Sequence, residues 1–244
     1  MSSLRFAAAS DTGKVRDHNE DRWRADADAG LYIVSDGMGG AAHGELAAQI
    51  VVDVLPTYVE TRRTAQGTAA RLEDVLTTAI AELSDGLHSR SKAAGVPGAA
   101  ATVVAALIVE KSCTIAHLGD SRAYLLREDG LVCLTRDHSV AQALVDAGQI
   151  EIDELANHPT RNSLTRFMGM PPPAKPAVTH VDLRPGDRIL LCSDGVSGAV
   201  DAETLRTILR RDDVPEALCK ALIDAANDAG GRDNMTALLI DRSQ

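Results

Sequence analysis

Residues 102–134 read TVVAALIVEKSCTIAHLGDSRAYLLREDGLVCL. Thr102–Val109, Cys113–Leu118, Ala123–Arg127 and Leu131–Leu134 are short apolar or β-branched runs with turn residues between them, the pattern of successive strands. The Asp129-Gly130 pair predicts a tight turn between the last two. Strands joined by so little chain pair antiparallel, because a parallel return needs a crossover of a dozen or more residues.

Working towards the N-terminus, Leu31–Ser35 and Leu4–Ser10 read as further strands, each closed by an aspartate with glycine close behind. Between them and the quoted stretch the chain turns helical from Gly44 to Leu55. A longer helix follows, in which Leu72, Val75, Leu76, Ala79, Ile80, Leu83 and Leu87 keep one apolar stripe. Towards the C-terminus, His138–Pro176 is an irregular excursion with a short helix at Val140–Ala147 and the run Pro171-Pro172-Pro173, which cannot enter a sheet interior. Strands return at Ala177–Val181 and Arg188–Cys192, then a helix at Ala202–Leu209. A second helix starts after Asp213, where Asp213 and Glu216 have the spacing of N-cap and N3 with Pro215 in the first turn, and Met235–Ile240 is a last strand.

Hairpin-linked strand groups with helices between the groups predict an α+β fold, two antiparallel sheets packed face to face and covered by helices. No repeat or linker interrupts the 244 residues, which are expected to form a single domain over 1–244. Aromatic residues make up only 2% against 45% hydrophobic, so the core must be built from Ala, Val, Leu and Ile.

A formal charge of −10 argues against a nucleic-acid binder, which would carry a basic stripe. An acidic chain can still take phosphorylated substrates if bound metal ions reverse the local sign. Cys113, Cys133, Cys192 and Cys219 are widely spaced with no CxxC pair, and read as reduced structural thiols. Met1–Asp11 lacks a basic start followed by an apolar run, and Ala99–Val109 is too short to span a bilayer. No membrane insertion and a cytoplasmic location are expected.

Asp36, Asp120 and Asp194 each follow an apolar strand, and Asp233 precedes one. Taken singly, each is a common Asp-Gly or Gly-Asp turn. Together they place four carboxylates at strand ends, the oxygen donors that Mg²⁺ and Mn²⁺ prefer. Two such ions can share a bridging carboxylate and present hydroxide in line with a phosphorus centre. The run Arg16-Asp17-His18-Asn19-Glu20-Asp21 adds a guanidinium able to grip phosphate oxygens, although by itself it is equally a solvated charged turn.

Arg16, Asn19, Glu20 and Asp21, then Asp36-Gly37-Met38-Gly39-Gly40, Gly119-Asp120-Ser121-Arg122-Ala123, Ser193-Asp194-Gly195 and Gly231-Arg232-Asp233-Asn234-Met235-Thr236 follow one another in a known order. In this they resemble the metal-dependent protein phosphatases, the PPM or type 2C family, in its short bacterial form. Asp137-His138-Ser139 and the stretch from Arg161 to Gly169 are similar too, so the resemblance runs from about Thr12 to Ile240.

That resemblance implies a four-layer αββα sandwich. It implies that Asp36 bridges two Mn²⁺ or Mg²⁺ ions, that the Gly37 carbonyl binds the first, and that Asp194 and Asp233 bind the second. Asp120 would join Asp194 at a third, weaker ion. Arg16 would hold the substrate phosphate, Glu20 and Asp21 would act through water, and Asn234 would orient Asp233. The excursion at 138–170 would be a flap that influences substrate choice.

One departure concerns Met38, which stands where many eukaryotic relatives carry a histidine proposed as general acid. A thioether cannot donate that proton; His43 lies nearby in sequence, and a metal-bound water is the expected acid. Thr102 resembles a family threonine near the metals, but is equally an ordinary strand residue. The histidines are expected to be structural or solvent-facing.

The function implied is hydrolysis of phosphoserine and phosphothreonine in proteins, in one step by metal-bridged hydroxide. Substrates would be products of a serine/threonine protein kinase, and the enzyme a monomer. Two alternatives stay open: a phosphohydrolase of small esters, and a silent phosphoprotein-binding regulator.

Overall fold

The computed structural model describes residues 4–39, 41–67, 71–93, 98–128 and 130–242. Strands β1 (Leu4–Asp11), β2 (Arg22–Asp26), β3 (Leu31–Ser35) and the two-residue β4 (Gly37–Met38) come first. Helices α1 (Ala41–Gln66) and α2 (Leu72–Ala93) follow, then β5 (Ala100–Ala101), β6 (Val103–Val109), β7 (Ser112–Leu118), β8 (Arg122–Arg127) and β9 (Gly130–Cys133). After α3 (Val140–Asp146) and a 3-10 turn at Ile152–Asn157 come β10 (Ala177–Asp182), β11 (Arg188–Cys192), α4 (Asp194–Ser197), α5 (Ala202–Leu209), α6 (Pro215–Asp228) and β12 (Met235–Arg242).

The stretch at 102–134 forms two hairpins, and they belong to different sheets. β6 pairs antiparallel with β7, and β8 with β9. One five-stranded sheet runs β10-β7-β6-β3-β2 and the other β1-β12-β11-β8-β9, with β4 and β5 pairing apart from both. The chain crosses between sheets at Gly119-Asp120-Ser121, which sets Asp120 at the seam. Asp129 of the expected turn lies outside the described residues.

Strand alternation divides the apolar residues into three layers. Leu31, Ile33, Val103, Ala105 and Leu107 face helices α1 and α2, where they meet Val51, Leu55, Leu76 and Ile80. Tyr32, Val34, Val104, Ala106 and Ile108 face the opposite way, onto Ala123, Leu125, Ile189, Leu191, Leu238 and Ile240 of the second sheet. The other side of that sheet, with Tyr124, Leu190, Cys192, Ala237 and Leu239, is covered by Leu205, Leu218 and Leu222 of α5 and α6. The result is the four-layer αββα sandwich.

Some local expectations are corrected. α1 does not stop at Leu55 but runs through Pro56 to Gln66; its apolar face continues with Val59, and that packing offsets the lost backbone bond. The N-cap of α6 is Val214, extended at φ −67° and ψ 150° and without a side-chain bond, rather than Asp213. Pro215 at the first helical position fixes the start, because proline disfavours helical backbone at the residue before it. β2 and α4 had no separate signal in the sequence. Among the described residues no helix is long and apolar enough to cross a membrane.

Candidate metal centre

β3 ends in Ser35 and delivers Asp36, whose backbone is clamped to Thr102 just ahead of β6. The Asp36 N–H donates to Thr102 Oγ1 at 3.0 Å, and the Thr102 N–H donates back to the Asp36 carbonyl at 2.7 Å. Ser35 Oγ donates to the Thr102 carbonyl at 2.7 Å, and Thr102 Oγ1 shares a proton with Ser121 Oγ at 2.6 Å. One buried threonine thus ties the Asp36 turn to the Asp120 turn. Gly119 makes this approach possible: at φ +114° its Cα faces Thr102, and a Cβ there would lie 2.7 Å from the threonine methyl. At Gly37 a Cβ would strike the backbone of Gly44 in α1, so the chain beside Asp36 must be bare.

Asp194 opens α4 directly behind β11, after the buried Ser193. Ser193 Oγ donates to Asp21 Oδ2 at 2.6 Å and accepts from the Thr236 N–H at 2.9 Å. Asp233 lies two residues before β12 and accepts from the Asn234 N–H at 2.9 Å. Asn234 in turn donates to the carbonyls of Thr12 at 2.9 Å and His18 at 2.8 Å, and accepts from the Glu20 N–H at 2.8 Å. This side chain pins the Arg16–Asp21 loop over the start of β12, and Arg16 reaches Asp233 Oδ2 at 2.8 Å.

The structure therefore brings together Arg16, Glu20, Asp21, Asp36, Gly37, Asp120, Asp194, Asp233 and Asn234, from segments far apart in the chain. Electrostatically the acids are crowded. Burial, then the charges of Asp21, Asp194, Asp120 and Asp233, holds the Asp36 carboxyl well above the usual range. Asp120 is pushed up to about 8 by burial and then by Asp194 and Asp137, and Asp21 to about 7 mainly by burial. Asp194 is raised by burial and Asp233, a rise that a hydrogen bond with Asp36 partly offsets.

Asp21 Oδ1 and Asp194 Oδ1 are buried without a hydrogen-bond partner. Buried carboxylates crowded together, with orphaned oxygens, need a cation. Of the guanidinia nearby, Arg122 is spent on Asp137, with bonds of 2.8 and 2.7 Å. Among the described residues no group of three or more His, Cys, Asp or Glu is arranged to hold a metal ion on side chains alone. Mg²⁺-type ions do not require such a cage, since they keep several waters and use one or two carboxylates each. The donor set fits hard divalent ions and not zinc.

In the sequence Thr102 stands between a family position near the metals and an ordinary strand residue, whereas the hydroxyls of Ser35, Ser121 and Ser193 had no part in the expected site. Their signal was adjacency: Ser35, Ser121 and Ser193 each neighbour a strand-end aspartate, and all are buried. Met38 pairs with Ala100 and His43 is exposed. His117 and His138 stack with ring centroids 4.5 Å apart, and His138 Nδ1 accepts from the Gly119 N–H at 3.2 Å, a structural role.

A cleft of about 480 Å³ opens onto Asp120, Asp194 and Asp233. A family model for protein phosphatase 2C matches residues 13–239. The serine/threonine phosphatase stp of Listeria innocua is 34% identical over 96% of this chain and 94% of its own. The serine/threonine protein phosphatase PstP of Mycobacterium tuberculosis is 35% identical over 98% of this chain, which spans 45% of that protein. Among solved structures, Stp1 from Staphylococcus aureus superposes with a TM-score of 0.89 at 31% identity, covering 99% of this chain and 96% of that one. The catalytic domain of PstP in complex with two manganese ions superposes with a TM-score of 0.83 at 34% identity, covering 99% of both chains. The matched span takes in every residue of the acid cluster, and the chain belongs to the protein phosphatase 2C family.

Proposed function

We propose that this protein is a metal-dependent phosphatase that removes phosphate from phosphoserine and phosphothreonine in proteins. The observation that carries this is the gathering of crowded, partly orphaned carboxylates beside an arginine at one end of the sandwich, in a chain of this family. Asp36 would bridge two Mn²⁺ or Mg²⁺ ions. The Gly37 carbonyl would complete the first, Asp194 and Asp233 would hold the second, and Asp120 would join Asp194 at a third, weaker one. Such ions supply a hydroxide nucleophile at neutral pH and neutralise charge on the phosphoryl oxygens.

The protein's own groups position the substrate and the carboxylates. Arg16 grips phosphate oxygens with its fork; the backbone N–H of Asn234 holds Asp233 Oδ1 at 2.9 Å, and its side chain pins the loop that carries Arg16. Asp21, buried and held by Ser193, and Glu20 beside it act through water. Met38 offers no proton to a leaving alcohol, so water in the open cleft supplies it. The segment 138–170 acts as a flap over this cleft within a single domain.

The substrates are products of a serine/threonine kinase and the enzyme works as a monomer in the cytoplasm. The location is supported by Cys113, Cys133, Cys192 and Cys219, all free thiols, the usual state in a reducing compartment. The test is hydrolysis of a phosphothreonine peptide with Mn²⁺ or Mg²⁺. Full activity in Asp36→Ala, or in the presence of EDTA, would sink the assignment, and comparing rates on peptides and on small phosphate esters separates protein from metabolite substrates.

A further inference from the structure

The 480 Å³ cleft is in the size range of sites for multi-group ligands, and larger than one phosphoryl group requires. Arg16, the expected phosphate ligand, is not part of its lining, whereas Arg122, Arg161 and Arg232 are. Arg122 is neutralised by its paired bonds to Asp137. The other two are not neutralised. Among the described residues Arg161 donates only to uncharged groups, the Ala156 carbonyl at 2.8 Å and Asn162 Oδ1 at 3.2 Å. Among the described residues Arg232 has no hydrogen bond or ion pair, although acids outnumber basic residues 35 to 25 in this chain.

Two guanidinia without a carboxylate partner, one from the segment after α3 and one from the turn before β12, thus face a shared cavity that opens on the acid cluster. Guanidinium forks match the oxygens of a phosphoryl group better than those of any other common protein modification. We propose that Arg161 and Arg232 form a subsite for a second oxyanion on the substrate peptide, a neighbouring phosphoryl group in the first place. The enzyme would then favour doubly phosphorylated segments over singly phosphorylated ones. This rests on the phosphatase reading above.

The experiment compares kcat/KM, with Mn²⁺, on phosphothreonine peptides that differ at one nearby position: a non-hydrolysable phosphonate analogue of phosphoserine, glutamate or alanine. The variable position is moved along both sides of the phosphothreonine. The wild type is expected to prefer the phosphonate peptide over the alanine peptide by about tenfold, with glutamate between, since one charge-assisted contact is worth that much. Raising salt to about 0.5 M should shrink the ratio.

In R161Q/R232Q the ratio should fall towards one, and because it is taken within each variant, any general loss of rate cancels. A glutamate preference equal to that for the phosphonate also supports the subsite and assigns it to carboxylates as well. Equal rates on all peptides in the wild type, or a preference that survives in R161Q/R232Q, overturns the subsite while leaving the phosphatase intact. If those arginines serve only to offset the acid cluster, the variant changes Mn²⁺ affinity but not the ratio, which also overturns it. No Mn²⁺-dependent turnover of any peptide overturns the phosphatase reading itself and the subsite with it.

Discussion

Arg16 donates a hydrogen bond to Asp233 Oδ2 at 2.8 Å, joining the proposed phosphate grip to a proposed metal ligand. Their side chains are 55% and 35% exposed, so the pair contributes at most about 1 kcal/mol to stability. Its consequence is positional, because the guanidinium is held where a phosphoryl group would meet the Asp233 carboxylate.

Removing that guanidinium should therefore damage catalysis without damaging the fold. Arg16→Ala is expected to lower kcat/KM on a phosphopeptide by roughly 10²–10³-fold, the cost of losing one preorganised donor to developing charge. Arg16→Lys keeps the charge but not the fork, and should recover only part of it. Thermal melts of both should stay close to wild type; a large drop in Tm would mean that the pair is structural.

The carboxylate cluster makes an opposite trade between stability and function. Asp36 is crowded by Asp21, Asp120, Asp194 and Asp233 and held well above the ordinary carboxylate range. Asp36→Asn removes one of these like charges, so in EDTA it should raise Tm by about 2–4 °C, as for a gain near 1 kcal/mol in a chain of this size. Mn²⁺ should stabilise the wild type further, by mass action, and leave the variant almost unmoved. A variant that melts lower than wild type in EDTA would contradict the crowding account.

Much of this was legible because it depends on local pattern. Alternation along β3 sends Leu31 and Ile33 to one layer and Tyr32 and Val34 to another, and the strand-end aspartates could be read directly from the runs beside them. What was not legible depends on partners far away in the chain. Asp21 looked like part of a solvated charged turn, yet it is only 2% exposed, because Ser193, 172 residues later, bonds to it. Thr102 could be read equally as a residue near the metals or as an ordinary strand residue, and what decides it is Asp36, 66 positions earlier, on its hydroxyl. The first helix was expected to end at Leu55, and buried Leu55 and Val59 carry it on past Pro56.

The Thr102 hydroxyl is predicted to act on catalysis through Asp36. Thr102→Val is nearly isosteric but leaves the Asp36 N–H and the Ser121 hydroxyl without their partner, which costs about 1–3 kcal/mol in a buried site. Mn²⁺ affinity and kcat should both fall as the Asp36 turn loosens. Thr102→Ser keeps the acceptor and should restore most of both. Wild-type behaviour of Thr102→Val together with an impaired Thr102→Ser would show that the methyl packed on Gly119, not the hydroxyl, is what matters.

His138 sets a predicted acid limit. Burial, with His117 stacked on it and Arg166 facing Nε2 at 3.4 Å, lowers it to about 3. Nδ1 accepts from the Gly119 N–H, so protonation would also break that bond. A histidine with a depressed folded pKa contributes stability that is present above about 6.5 and lost as pH falls through that value towards 3. The loss should be on the order of 2–4 kcal/mol across that window. His138→Asn keeps an acceptor for Gly119 and cannot titrate, so its Tm should fall less steeply below pH 6.5. An unchanged acid limb would assign the loss to other groups.

The segment 138–170 is tied down at its ends and loose between them, which is why it is predicted to govern substrate choice rather than folding. At one end the His138 N–H donates to the Gly119 carbonyl at 3.0 Å and the Thr165 N–H to the His138 carbonyl at 2.7 Å. At the other, the Met168 N–H donates to the Ala101 carbonyl at 2.7 Å, and the Gly169 N–H to Ser84 Oγ at 3.0 Å. Between them, the 3-10 turn at Ile152–Asn157 has no buried residue, and Ile152 is 67% exposed. Replacing residues 149–162 with a short Gly-Ser link should thus cost little core packing and shift Tm by only a few degrees. Turnover of p-nitrophenyl phosphate, too small to reach the flap, should persist, while the order of kcat/KM across a panel of phosphopeptides should change. If that order stays the same, substrate choice lies in the rigid rim of the two sheets and not in this segment.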